Sequence, residues 1–212
     1  MSRSIDVSFY SIIDEDYVRA RDMGACVREL VRARVSVIQY RAKSLPSREF
    51  LLRALSIESA IRGSGVPFII NDRADIALLS GASGVHLGSE DIPIQKAREI
   101  LGPNRIIGAT VHSTQDALRA EIEGADYLGA GCVFPSSTKG NVPLIGLTGL
   151  KDIKSSVKIP VVAIGGLTLE NVAQVIEAGA DGIAFVSELW KGGETEQRAR
   201  KLRAAIDSAK LD

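Results

Sequence analysis

Along the chain of 212 residues, short runs of apolar, β-favouring residues recur, and each is followed by a stretch with apolar positions at helical spacing. Ser8–Ile13 predicts a first strand, Val35–Tyr40 a second, Pro67–Asn71 a third and Gly84–Leu87 a fourth. Arg105–Ala109, Tyr127–Gly131, Pro160–Ile164 and Gly182–Val186 predict the remaining four. Ser47–Arg62 carries Phe50, Leu51, Ala54, Leu55 and Ile57 at helical spacing, and Thr168–Ala178 carries Val172, Val175 and Ile176 behind Thr168 as an N-cap. Strands alternating with helices imply parallel βαβ units. Eight such pairs without a spare strand predict a single closed (β/α)8 TIM barrel over residues 1–212, because closure removes the edges that an open parallel sheet must protect.

A second pattern agrees. Gly81-Ala82-Ser83-Gly84-Val85, Gly124-Ala125-Asp126-Tyr127-Leu128 and Gly179-Ala180-Asp181-Gly182-Ile183 share one form: a helix C-cap glycine, a turn, then a strand. They fall at the N-terminal end of the barrel, where residues serve stability.

Charge changes the picture by excluding partners. Lys and Arg total 26, as do Asp and Glu, so the net charge is zero, and neither nucleic acid nor a membrane surface is expected as a partner. No apolar run is long enough to span a membrane, and the N-terminus lacks the apolar core of a signal peptide, so a cytoplasmic location is expected. Cys26, expected in the first helix, and Cys132, expected in a strand, lack metal or disulfide spacing and read as buried thiols. The pattern sets no oligomeric state.

In this architecture the chemistry sits where strands end at the C-terminal face. Gln39, Arg41 and Lys43 alternate at the end of strand two, so all three share the mouth side. With Lys139 in the loop after strand six they form a cationic cluster suited to a polyanion such as a diphosphate; a solvated rim is the plainer alternative. Asp72 and Asp91 follow strands three and four, and carboxylates beside such a cluster suit Mg²⁺ ligation, against an alternative role as helix caps. Gly165-Gly166 after strand seven and Ser187 after strand eight match the common phosphate site of these barrels, with Ser136 and Thr138 as hydroxyl donors in the same mouth. Two phosphate-bearing sites are therefore expected, one with metal and one without. His86 lies inside strand four and reads as structural; His112 could transfer protons or orient its loop.

The segments Ile38-Gln39-Tyr40-Arg41-Ala42-Lys43, Ile70-Asn71-Asp72-Arg73, Gly84 to Asp91, Phe134 to Lys139 and Ala163 to Gly166, in this order, resemble thiamine phosphate synthase over nearly the whole chain. The resemblance implies Mg²⁺-dependent joining of hydroxymethylpyrimidine diphosphate to hydroxyethylthiazole phosphate, with diphosphate departing first. It implies pyrimidine-diphosphate binding by Gln39, Arg41, Lys43, Asn71 and Lys139, with Tyr40, Ala42 and Ser137 in the same binding segments. It places Asp72 and Asp91 on Mg²⁺, and Ser136, Thr138, Gly166, Val186 and Ser187 around the thiazole phosphate. Lys139, Lys43, Arg41 and Thr110 are the implied catalytic groups.

Four departures stand out. Thr110 and Ser136 replace a usual Ser and Thr, Ser89 stands where Gln is common, and the loop from Lys139 to Gly146 is about one residue short. Val111-His112-Ser113 also resembles thiazole tautomerase, a sister family that isomerises the thiazole with a His; the complete aspartate and Gln39/Arg41/Lys43 sets favour the synthase. A non-catalytic phosphate-ligand sensor is the remaining alternative.

Overall fold

The computed structural model describes residues 5–19, 21–136 and 143–211. Eight parallel strands close in sequence order: β1 (Phe9–Asp14), β2 (Val37–Arg41), β3 (Phe68–Asn71), β4 (Gly84–Leu87), β5 (Ile106–Val111), β6 (Tyr127–Ala130), β7 (Val161–Ile164) and β8 (Gly182–Phe185). Helices α1 (Glu15–Val18), α2 (Met23–Arg32), α3 (Ser47–Ile61), α4 (Ala74–Ser80), α5 (Ile94–Leu101), α6 (Thr114–Ile122), α7 (Gly146–Ser156), α8 (Val172–Glu177) and α9 (Thr195–Ala209) form the outer layer. The expected strands and the α3 helix are present, with ends shifted by a residue or two.

The shifts have physical causes. β1 runs on to Asp14 because Asp14 pairs with Arg41 across the ladder, although the apolar run stops at Ile13. β5 runs on through Thr110 and Val111, which pair with Gly129 and Ala130, so Thr110 lies within the strand rather than after it. Cys132, expected in a strand, instead lies past the end of β6 and is half-buried, while Cys26 is buried in α2.

Two cores follow from strand periodicity. Outward positions such as Ile38, Tyr40 and Ile70 pack under the helices, together with the α2 stripe Met23, Cys26, Val27 and Leu30. Inward positions, among them Tyr10, Ile12, Val37, Ile69, Tyr127 and Val162, fill the barrel itself. Above this plug the inward positions turn polar.

The three repeated corners act as pins. Gly81, Gly124 and Gly179 have φ of 76°, 94° and 95°, the left-handed geometry of a helix C-cap. The third residue of each corner then accepts a backbone N–H at the start of the preceding strand. Ser83 Oγ takes that of Phe68 at 3.0 Å, Asp126 Oδ2 that of Ile107 at 2.8 Å, and Asp181 Oδ2 that of Val161 at 2.7 Å. Arg98 and Lys154 pair with the two aspartates, so those two corners also tie down a neighbouring helix.

Replacing Asp126 by Ala strips the acceptor from the Ile107 N–H and the partner from Arg98. A loss of about 1–3 kcal/mol is expected in urea denaturation, with ligand binding at the opposite end unchanged.

Candidate active site

The C-terminal ends of the strands surround a pocket lined by Gln39, Arg41, Asn71, Thr110, Ser136, Gly166, Val186 and Ser187, all expected site residues. Alternation along β2 sends Gln39 and Arg41 inward and Tyr40 and Ala42 outward. Tyr40 and Ala42, expected in the same binding segment, therefore turn their side chains away from the pocket. Tyr40 is buried under the helices, stacked edge-on against Phe50, and donates to Glu15 Oε2 at 2.6 Å. Ser137, Thr138 and Lys139 lie outside the described residues.

The cations are held by protein carboxylates, which sequence reasoning did not foresee. Arg41 pairs with Asp14, a buried residue at the end of β1 that lines the same pocket. Lys43 Nζ lies 2.5 Å from Asp72 Oδ2. A like-charged cluster waiting for an anion is thus replaced by two ion pairs. The register of Asp14 opposite Arg41 was the available signal, but it needs the strand extended beyond its apolar run.

Asp72 and Asp91 do not cap helices: the N-caps of α4 and α5 are Arg73 and Pro93, without side-chain hydrogen bonds. Asp72 takes a left-handed backbone (φ 65°) and its N–H donates to the His86 carbonyl at 2.8 Å, which carries it towards the loop after β4. There Asp91 Oδ2 accepts the Gly88 N–H at 2.6 Å. The two carboxyls hydrogen-bond each other. Burial first, then that bond, pushes Asp91 above the usual carboxylate range. Such a pair is short of positive charge, and its hard oxygen donors fit Mg²⁺. Among the described residues no third His, Cys, Asp or Glu joins them, so a cation would complete its shell with water and phosphate oxygens.

On the other side of the pocket, Gly165 and Gly166 have φ of 99° and 64°. They are required for a reason beyond phosphate access. A Cβ on Gly165 would meet Cys132 Sγ at 2.3 Å, and one on Gly166 would meet the Pro135 carbonyl oxygen at 2.5 Å. The loops after β6 and β7 pack backbone to backbone, with Phe134 N–H donating to the Gly165 carbonyl at 3.0 Å. Asn171 Nδ2 donates to the Gly166 carbonyl at 3.0 Å while its Oδ1 accepts the Thr168 N–H at 2.9 Å, so the expected N-cap at Thr168 also steadies the glycine turn. Ser187 opens a short 3-10 helix, Ser187–Trp190, after β8. The buried Glu188 anchors that helix through Arg198 and Lys191.

Both histidines line the pocket. His112 Nδ1 donates to the Gly131 carbonyl, tying the end of β5 to the segment after β6. Because a carbonyl only accepts, a neutral His112 carries its proton on Nδ1 and its lone pair on Nε2. His86, expected to be structural, bridges Tyr127 and Thr110 by its two ring nitrogens. Tyr10 and Tyr127, read at first as strand residues only, also line the pocket.

A closed parallel barrel with an acid pair, two ion-paired cations and a glycine turn at its strand C-termini is a (β/α)8 barrel of the enzyme type, with its candidate site at the C-terminal face. The model of the family described as thiamine monophosphate synthase matches residues 9–189, and the chain belongs to that family. It is 41% identical over 198 residues to a thiamine-phosphate synthase of Clostridium acetobutylicum, covering 93% of this chain and 94% of the relative. It is 46% identical over 183 residues to that of Pyrococcus horikoshii, covering 86% and 88%. The solved thiamine phosphate pyrophosphorylase of Pyrococcus furiosus superposes with a TM-score of 0.87 at 40% identity, covering 96% of this chain and 97% of that one.

Gly166→Ala would force a side chain into a left-handed backbone against a carbonyl oxygen. A stability loss of about 1–2 kcal/mol from the backbone alone is expected by denaturant melting, with any ligand-binding loss following from displacement of both loops.

Proposed function

We propose that the protein joins hydroxymethylpyrimidine diphosphate to hydroxyethylthiazole phosphate, releasing diphosphate and forming thiamine phosphate. The observation that carries this reading is the separation of two groups: Arg41 lines the pocket from β2, with Lys43, Asp72 and Asp91 on the loops after β2, β3 and β4, while Gly166 and Ser187 line it from the loops after β7 and β8. A diphosphate substrate suits the first group and a monophosphate the second. Membership of the thiamine monophosphate synthase family supports the pairing.

In this scheme the bond between the pyrimidine methylene and the diphosphate oxygen breaks, and its electron pair leaves with the diphosphate. The thiazole nitrogen then gives its lone pair to the methylene cation. Arg41, held by Asp14, and Lys43, at the edge of the pocket, stabilise the leaving charge, with Lys139 joining them from the loop after β6. Asp72 and Asp91 would hold Mg²⁺, which when bound supplies further positive charge to the departing group. Lys43, paired with Asp72 here, would turn to the diphosphate once Asp72 had another counter-ion. Gly166 and Ser187 hold the thiazole phosphate, and Val186 closes against its ring.

The reading is tested by incubating the protein with both phosphorylated substrates, with and without Mg²⁺, and following thiamine phosphate and diphosphate. No product under any Mg²⁺ condition would sink it. One observation favours a second activity: the Nε2 lone pair of a neutral His112 is placed for a base. Isomerisation of the thiazole precursor alone, lost in His112→Asn, would reveal a tautomerase instead.

Asp72→Asn and Asp91→Asn should each abolish Mg²⁺-dependent turnover while preserving the fold. Because Asp91 titrates high, its contribution to folding without metal is lost as pH rises through its folded pKa, and Mg²⁺ offsets that loss. Added Mg²⁺ should therefore raise the melting temperature more at neutral than at mildly acidic pH, and not at all in the double variant.

Lys139→Met keeps the side chain's length and removes its charge. A group that acts on developing negative charge should lower kcat by about 10²–10³ with little change in KM. A raised KM at normal kcat would show instead that Lys139 only binds.

A further inference from the structure

A hydrogen-bonded chain crosses the barrel interior. Gln39 Nε2 donates to the Tyr10 hydroxyl at 2.7 Å, and that hydroxyl lies 2.6 Å from the Tyr127 hydroxyl. The Tyr127 hydroxyl is 3.0 Å from His86 Nδ1, and His86 Nε2 is 2.9 Å from Thr110 Oγ1. The five residues come from β2, β1, β6, β4 and β5, and all line the pocket. The rings have been given room at glycines. A Cβ on Gly108 would sit 2.2 Å from Tyr127 Cζ, and one on Gly129 would sit 3.0 Å from His86 Cε1. The resemblance implies roles for the two ends alone, Gln39 in pyrimidine-diphosphate binding and Thr110 in catalysis, and the scheme above uses none of the three residues between them.

Counting hydrogens makes this chain directional. Burial pushes both phenols well above the ordinary tyrosine range, so each keeps its one hydrogen. Each phenol has two neighbours in the chain, so it must accept from one and donate to the other. With the Gln39 nitrogen donating to Tyr10, Tyr10 donates to Tyr127, and Tyr127 donates to His86 Nδ1. A neutral His86 then carries its proton on Nε2 and donates to Thr110, whose own hydrogen turns away from the ring. Turning the Gln39 amide over would reverse every link and leave the Thr110 hydroxyl hydrogen on His86.

We propose that Tyr10, Tyr127 and His86 are positioning residues that lock the Gln39 amide and the Thr110 hydroxyl into one joint polarity, Gln39 Oε1 accepting and Thr110 donating. This rests on the proposed function and takes the pyrimidine ring to lie between those two residues, which line one pocket. The pair then matches a heteroaromatic ring with an exocyclic amine beside a ring nitrogen, which offers one donor and one acceptor. An analogue with an oxo group in place of the amine has the opposite pattern and would need the whole chain reversed.

The chain has only two histidines, which makes the test spectroscopic. In protein labelled with ¹⁵N-histidine, His86 should appear as the Nε2–H tautomer and His112 as the Nδ1–H tautomer. Gln39→Glu leaves only acceptors at that end, so Tyr10 must donate to it and His86 should switch to Nδ1–H. Tyr10→Phe, which removes one oxygen from the same shape, should leave the His86 tautomer mixed. An unchanged His86 signal in both folded variants would overturn the coupling. In kinetics, Tyr127→Phe should raise KM for the pyrimidine diphosphate roughly fivefold to tenfold, narrow its preference over the oxo analogue, and leave binding of inorganic diphosphate unaltered. Normal KM and normal selectivity in that variant would overturn the positioning role. Coupled tautomers in a protein without synthase activity would uphold the chain and refute the assigned substrate, so the two failures are distinguishable.

Discussion

Eight parallel strands hydrogen-bonded into a ring leave no free edge, and closure dictates where every strand side chain can go. Each residue points either to the helices or to the axis. The lower inward positions are apolar and plug the barrel; the upper ones cannot be, because they open on solvent. Asp14, Arg41, Asn71 and Thr110 occupy those upper positions on four strands. The pocket is thus a consequence of running the ladder two residues beyond its apolar floor.

Charge balance then organises the rim. A buried or half-buried cation needs a partner, and at this rim carboxylates supply it. Asp14 steadies Arg41 from the adjacent strand, Asp72 reaches Lys43 from the next loop, and Glu188 fastens the segment after β8 through two cations. Of these carboxylates Asp72 is the least buried, and it also shares a hydrogen bond with Asp91. That corner holds more negative than positive charge, so it is the place where a cation and a polyanion can enter together.

The barrel was legible because alternation of strand and helix is a chain-wide signal, carried by dozens of apolar positions. The glycine corners were legible because the same three-residue form recurs. Gln39, Arg41, Asn71, Ser136 and Ser187 were found because polar residues at strand ends stand out. Asp14 is not legible because it lies one residue beyond the apolar run that marks β1, and its partner Arg41 is set by strand register rather than by any local motif. The outward course of the Tyr40 side chain is not legible in a motif read as a string, which ignores that neighbours on a strand point opposite ways. The polar chain through Tyr10, Tyr127 and His86 joins residues far apart in sequence, and no local pattern reports such pairings. Its one trace was the pair of strand glycines, Gly108 and Gly129, whose missing side chains are filled by rings from other strands.

The corner pins have a consequence for how such a protein can change. They occur before β4, β6 and β8, so each binds a helix end to the strand on either side of it and marks out a two-strand module. All of them lie at the end of the barrel remote from the pocket. Rigidity is concentrated at one pole of the molecule and chemistry at the other, with little shared between them. Loops at the reactive pole can lengthen, shorten or exchange residues without asking the framework to re-form. Divergence of ligand preference on this scaffold is therefore a matter of editing one rim, while the opposite rim keeps the inheritance of shape.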